Sequence, residues 1–305
     1  MGSSDLVVSA VGLGCNNFGG RLDLERTRAV VDAALDAGIT FFDTADVYGN
    51  RGGSERFLGE TLEGRRDQVV LATKFGWDMG ADGDALRGSA DYVRQAIEAS
   101  LERLRTDHVD LYYYHRPDGI TPFEETLGAM HQLVVEGKTR NIGCSNLSAE
   151  QLREVSEIIR RKGITPIVAL QNEYSLLERS AEEEVLPLCR ELGIGFVPYF
   201  PLASGLLTGK YRRGEPAPSG SRLEGRAERL TDERFDRVEG LERFAAARGH
   251  TILELAIGAL VSTPGVASVI AGATTPEQVR ANASSGAWTL SEEDLAALAV
   301  LEPVE

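Results

Sequence analysis

Three successive apolar, β-rich runs each end in side chains that can hold or move a proton. "FFDTADVYG" carries Asp43 and Tyr48, "LATKFG" carries Lys74, and "YYYHRPD" carries His115. If the ends of neighbouring strands lie side by side, about 5 Å apart, these four groups converge. A free tyrosine, with a pKa of about 10, is a poor proton donor at neutral pH. A cation alongside favours the phenolate and lowers that value. Lys74 can supply the cation, Asp43 can hold the lysine in place, and His115 can hydrogen-bond a carbonyl oxygen and orient it. The set is a general acid facing a polarised carbonyl, with neither a metal nor a nucleophile in it. It suits reduction of C=O by an external hydride donor. Singly, each residue has a plainer reading: a turn or cap for Asp43, a rim aromatic for Tyr48, a satisfied core histidine for His115. Lys74 is unusual, because a strand buried on both faces prefers apolar groups. Four such residues at successive strand ends are hard to explain by structure alone.

The elements that must position them alternate along the chain. Strands are expected at 7–14, 40–45, 69–75, 109–115, 139–145, 167–173, 194–200 and 267–273, with amphipathic helices between them. Gly38 and Gly163 mark helix ends, and Ser148 with Glu150 and Gln151 marks a helix start. Repeated βα units imply a parallel sheet, and a count of eight favours closure into a barrel over an open sheet. The expected fold is an α/β, (β/α)8 TIM barrel occupying residues 1–305 as one domain. A Pro/Gly/Arg-rich stretch, "RRGEPAPSGSRLEGR", breaks the step between 204 and 250 and predicts a long loop after strand seven, at the face where sites are built. Residues 291–301 read as an extra C-terminal helix. The Gly-x-Gly of "VGLGCNNFGG" at 11–20 is not a dinucleotide fingerprint. Asn17 stands where the third glycine belongs, and the next helix starts only near Asp23.

The bulk numbers exclude other classes. The chain has 305 residues, 42% hydrophobic and 26% charged, and a net charge of -15. That charge argues against nucleic-acid backbones and anionic membrane surfaces. The N-terminus lacks a signal-peptide pattern. The most apolar region, 252–273, contains Glu254 and Pro264 and is not a membrane span. Cys15, Cys144 and Cys189 are few, odd in number and widely spaced, which fits a reducing, cytoplasmic setting. The four histidines show no metal-ligand spacing. A barrel glycosidase would need two carboxylates across the mouth, and Asp43 is better explained by Lys74.

Seven ordered stretches resemble the aldo-keto reductase superfamily over nearly the whole chain: "GITFFDTADVYG" with "SERFLGETL", "VVLATKFG", "VDLYYYHRPD", "EGKTRNIGCSN", "LQNEYSLL", "PLASGLLTGKY" and "GATTPEQVRAN". The resemblance implies a (β/α)8 barrel and NAD(P)H-dependent reduction of an aldehyde or ketone. It places the catalytic tetrad on Asp43, Tyr48, Lys74 and His115. It implies nicotinamide contacts from Asn16, Asp43, Ser145, Asn146 and Gln171, with Tyr199 stacking on the ring. Pro201, Leu202, Ser204, Gly205 and Lys210 would wrap the pyrophosphate, and Arg222 would lie near the adenosine phosphate. Gly272, Thr274, Gln278 and Asn282 would grip the adenine end, where a helix beginning near Pro276 offers free N–H groups. NADPH is the expected cofactor, on the charge of Lys210, Arg222 and Arg280, with NADH the alternative. Many relatives have Lys and Arg where this chain has Gly272 and Gln278, a glutamate where it has Ala281, and a polar residue where it has Tyr114.

The expected partner is a small carbonyl compound, with no nucleic acid and no membrane, and the chain is expected to be a monomer. The same site run backwards would make a sugar or alcohol dehydrogenase. A third reading is a nucleotide-binding regulatory subunit resembling the potassium-channel beta subunits; the intact His115 and the lack of an added N-terminal segment argue against it. The substrate pocket is expected from the loop after strand one, the segment after Tyr48, residues 76–88 and residues 212–230, with Trp77 and Met79 as apolar walls and Tyr114 shaping it.

Overall fold

Parallel strands buried on both faces must alternate two kinds of neighbour, and most of this chain's strands do so. The computed structural model describes residues 1–80 and 86–301. Eight strands, β1 (Val11–Gly14), β2 (Phe41–Asp43), β3 (Val70–Phe75), β4 (Val109–Tyr114), β5 (Thr139–Ser145), β6 (Ile167–Glu173), β7 (Gly195–Tyr199) and β8 (Val269–Gly272), form one parallel sheet in the order β7-β6-β5-β4-β3-β2-β1-β8. A bridge between Phe196 and Val266 brings the ends of the sheet together, so the eight strands make a nearly closed (β/α)8 barrel. The strand bounds match the expected ones to within a few residues. The largest difference is at β1, which begins at Val11. The chain before it packs Met1, Leu6 and Val8 against the cluster inside the barrel, while Val7 is exposed.

Parity decides what each strand shows to the axis. Phe41, Ala72, Leu111, Tyr113, Ala169, Val197 and Ile270 pack together inside the barrel. Their neighbours Phe42, Leu71, Tyr112, Leu170, Phe196 and Val269 pack outward against the helices. With a period of two, the inward set continues to Asp43, Lys74, His115, Gln171 and Tyr199 at the C-terminal ends. The apolar plug and the polar mouth are therefore successive layers of the same strand faces.

Ten helices surround the sheet among the described residues: α1 (Leu24–Asp36), α2 (Tyr48–Thr61), α3 (Ala90–Leu104), α4 (Phe123–Val135), α5 (Ala149–Lys162), α6 (Val185–Glu191), α7 (Asp232–Ala246), α8 (Ile252–Ser262), α9 (Pro276–Ser285) and α10 (Glu292–Ala299). The extra C-terminal helix is α10. The break in the step after β7 also holds α7, which the sequence reading treated as loop. Thr231 caps it by accepting the Arg234 N–H, and Phe235, Val238, Leu241 and Phe244 recur at helical spacing along its buried face. That face joins a second apolar core with Leu206, Leu207, Tyr211, Leu223, Leu255 and Leu298. The loop between β7 and α7 is thus anchored by Leu206 and Leu207 near its start and by Leu223 near its end. The Tyr211 hydroxyl accepts the Leu223 N–H at 3.2 Å. No described helix is long and apolar enough to cross a membrane.

Candidate active site

Asp43 and Lys74 end neighbouring strands, and the register pairs Asp43 with Ala72, two residues before Lys74. The Lys74 ammonium lies 2.6 Å from Asp43 Oδ2, with both side chains buried. Lys74 also donates to the Thr44 carbonyl at 2.8 Å, while Asp43 Oδ1 accepts from Gln171 Nε2 at 2.9 Å. A buried charge needs such partners, because removing it from water costs several kcal/mol. Burial presses the Lys74 pKa down, but Asp43 and Tyr48 together push it up further, so it lies above the usual lysine range. Lys74 remains a cation.

Tyr48 follows the short β2 and sits partly buried, with the Lys74 Nζ 5.0 Å from its ring centroid. The sequence reading expected the cation to lower the tyrosine's pKa. The net shift goes the other way. Burial is the largest influence and raises it, and Lys74 offsets this only in part. Tyr48 therefore carries its proton throughout the neutral range. The backbone beyond it makes a feature that sequence reasoning missed: residues 49–52 all have positive φ (65°, 59°, 66° and 100°) before α2 settles into a regular helix. Glycine at 49 is required, since a Cβ there would lie 2.2 Å from the Phe18 carbonyl oxygen. This turn presses the chain beside Tyr48 against the loop after β1.

His115 follows β4 and meets Tyr48 edge-on, with ring centroids 5.7 Å apart. Burial, then the charges of Lys74 and Arg116, hold its pKa well below the ordinary value, so the ring is neutral at neutral pH. Among the described residues its buried Nδ1 has no hydrogen-bond partner. Asn146, in a left-handed conformation after β5, ties three strand ends together. It donates to the His115 carbonyl at 3.0 Å and to Ser145 Oγ at 3.0 Å, and accepts the Tyr199 hydroxyl at 2.7 Å.

A cleft of about 740 Å³ opens above these groups. Of the residues singled out in the sequence, Asn16, Asp43, Tyr48, His115, Asn146, Gln171, Tyr199, Pro201, Leu202, Ser204, Gly205, Lys210, Arg222, Gly272, Thr274, Gln278 and Asn282 line it, as does Cys15. Lys74 and Ser145 do not line it; they are buried behind Asp43 and Asn146. Burial also pushes the Cys15 thiol well above its usual pKa, so it stays protonated. The loop after β7 closes over the cleft. Arg222 reaches Asn16 and Asn17 at 3.4 Å each, and Arg21 donates to the Gly220 carbonyl. Burial, then Arg21 and Arg226, press the Arg222 pKa down. An anion beside these cations would offset their mutual repulsion, so the donor set fits a pyrophosphate-bearing dinucleotide such as NADPH or NADH.

Some expectations fail. Arg280 pairs with Glu277 at 3.9 Å and does not line the cleft. Gln278 lines it, but its side-chain oxygen accepts the Thr274 N–H at 2.8 Å. Tyr114 is buried, stacked on Phe75 with centroids 5.1 Å apart, and its hydroxyl accepts the Asp118 N–H; it shapes a loop, not the pocket wall. Trp77 lines the cleft, whereas Met79 and the segment after Tyr48 do not. Within the expected pocket segment 76–88, residues 81–85 lie outside the described residues. Sequence reasoning also missed Asn17, Arg21, Arg116 and Phe200 in the lining. Arg116 had a signal, its place next to His115. Asn17 and Arg21 fall in the loop after β1, which was expected to help build the pocket without their being singled out, and Phe200 closes the expected seventh strand.

The comparisons agree with this geometry. The aldo/keto reductase family model matches residues 10–302. The chain is 39% identical over 293 residues to a probable voltage-gated potassium channel subunit beta from Oryza sativa subsp. japonica, covering 92% of this chain and 88% of that one. It is 38% identical over 307 residues to probable aldo-keto reductase 1 from Glycine max, covering 97% and 86%. It is 35% identical over 309 residues to L-glyceraldehyde 3-phosphate reductase from Escherichia coli (strain K12), covering 97% and 89%. A barrel with a polar, lysine-centred mouth, matched by one family along almost its whole length, belongs to that family: this chain is a member of the aldo/keto reductases.

Proposed function

We propose that the chain reduces an aldehyde or ketone to the alcohol with NADPH, as a cytoplasmic monomer built from one domain. The observation that carries this reading is the buried Asp43–Lys74 pair set against a protonated Tyr48 and a neutral His115 at the floor of the cleft. The bound cofactor would supply a hydride to the carbonyl carbon. Tyr48 gives its hydroxyl proton to the carbonyl oxygen as negative charge develops there. Lys74 steadies the phenolate that remains, and Asp43 and the Thr44 carbonyl keep the ammonium aimed at it. Neutral His115 donates a ring N–H to the same oxygen and orients it. Solvent then restores the proton to Tyr48. Asn146, Ser145, Gln171 and Tyr199 would hold the nicotinamide end. Ser204, Gly205, Lys210 and the N-terminus of α9 would hold the phosphates. Arg222 and Lys210 support NADPH over NADH.

The beta-subunit relative supports a second reading, a nucleotide-binding regulatory chain, which would need the cleft but not the proton donor. The test is NADPH and NADH oxidation by the purified protein with aromatic, aliphatic and sugar aldehydes, including L-glyceraldehyde 3-phosphate, the substrate in one relative's name. Tyr48→Phe should lower turnover by at least about a hundredfold while cofactor binding, read by nicotinamide fluorescence, is kept. Cofactor binding without turnover in the wild type would move the assignment to the regulatory reading.

A further inference from the structure

The cleft is electrostatically opposite to the rest of the chain. The protein carries a net charge of -15, yet among the described residues the charged ones lining the cleft are Asp43, already bound to Lys74, and the cations Arg21, Arg116, Lys210 and Arg222. Among the described residues none of these four cations pairs with a carboxylate. Three of them belong to the side closed by the long loop, where Arg222 is within reach of the charge of Arg21. Arg116 stands apart, beside the proton-transfer groups. Its charge reaches both His115 and Tyr199, lowering the pKa each would otherwise have. Its guanidinium lies 5.4 Å from the centre of the Trp77 ring, and Trp77 in turn lies 5.4 Å from the His115 ring. The order along this wall is a carbonyl-orienting imidazole, an apolar indole and a cation. A dinucleotide held by the long loop would occupy the other three cations and leave Arg116 without an anionic partner among the described residues.

We propose that Arg116 is a specificity-determining residue, and that the substrate is a carbonyl compound carrying an anionic group, a carboxylate or a phosphate, beyond a short apolar segment. This rests on the carbonyl-reduction reading above. The carbonyl sits at Tyr48 and His115, the apolar segment lies along Trp77, and the anion meets Arg116 in a charge-assisted hydrogen bond. A cation in an otherwise acidic molecule also gathers anionic substrate at the mouth.

The test compares matched aldehydes: 4-carboxybenzaldehyde with 4-methylbenzaldehyde, and glycolaldehyde phosphate with glycolaldehyde. The wild type should have a higher kcat/KM for the anionic member of at least one pair, and the pair that responds identifies carboxylate or phosphate. In Arg116→Gln the anionic-to-neutral ratio should fall about tenfold, through KM more than kcat, and Arg116→Lys should restore part of it. A second readout does not need turnover. In a Trp288→Phe background Trp77 is the remaining tryptophan, and its fluorescence should respond to benzoate or inorganic phosphate unless Arg116 is replaced by Gln. An unchanged ratio together with no Arg116-dependent fluorescence overturns the proposal, while turnover of the neutral aldehydes would leave the reductase reading standing. An Arg116-dependent fluorescence response without turnover of any aldehyde would uphold the anion site and remove the reductase reading.

Discussion

At the scale of single residues, the site turns on buried charges that only have meaning as pairs. The Lys74 side chain has no exposure and that of Asp43 only 4%. Lys74→Met leaves Asp43 buried without its cation and should cost about 3–5 kcal/mol, read as a lower urea midpoint. Adding Asp43→Asn should recover most of that loss without recovering turnover, because the partner of Tyr48 is still missing. His115 makes a prediction about pH. Its folded-state pKa is held well below the ordinary value, first by burial and then by Lys74 and Arg116. Below about 6.5 the unfolded chain binds a proton that the folded one refuses, so stability falls as pH drops. His115→Gln should flatten that acid-side loss, seen by comparing urea midpoints at pH 5 and pH 7 in both proteins; parallel loss in the two would sink the assignment. The residue types at 43, 48, 74 and 115 were legible because each stands at the end of an apolar run. The sign of the Tyr48 shift was not legible. It depends on how much water the fold removes, which no spacing reports.

At the scale of elements, the segments between strands carry most of the positioning. The left-handed turn at residues 49–52 has its tightest point at Gly49, against backbone atoms of Phe18 and Ser54. Gly49→Ala should destabilise the protein by more than the ~1–2 kcal/mol of the left-handed conformation alone, and turnover should fall with it. Gly38→Ala is the control: it also has positive φ, 75°, but none of the described residues lies within 4 Å of an added Cβ, so it should show the conformational cost only. The loop after β7 acts through Arg222, held by Asn16 and Asn17 over the Phe200 ring. Arg222→Ala should raise the KM for NADPH about tenfold and that for NADH less; equal changes would mean that Arg222 does not read the 2'-phosphate. Helix α7 was hidden in this stretch because the preceding Pro, Gly and Arg residues dominate the local pattern. Its apolar face is recognisable only once the second core gives it something to pack against.

At the scale of the whole molecule, the barrel has one weak seam. Seven strand pairs share a register, whereas β7 is joined to the segment just before β8 by the Phe196–Val266 bridge and two flanking backbone hydrogen bonds, Phe196 N–H to the Gly265 carbonyl at 2.9 Å and Ala267 N–H to the Phe196 carbonyl at 2.8 Å. Amides along that seam should exchange with deuterium sooner than those between β3 and β4, where four residue pairs are in register. Equal protection would mean that the barrel opens as one unit. By itself the sequence determined the eightfold alternation, the strand ends and the identity of the groups gathered there. Hydrophobic period and strand parity are local properties, and they survive in a bare string of residues. Only the tertiary structure decided which exposed residues face the cleft. Arg116, Arg21 and Phe200 are not singled out by the sequence; they line the cleft because the strand ends and the loop after β7 are brought around it. Tyr114 and Arg280 read as site residues until packing and pairing take them away from it. Charge, burial and contact are properties of neighbours in space, and closing the barrel is what makes those residues neighbours.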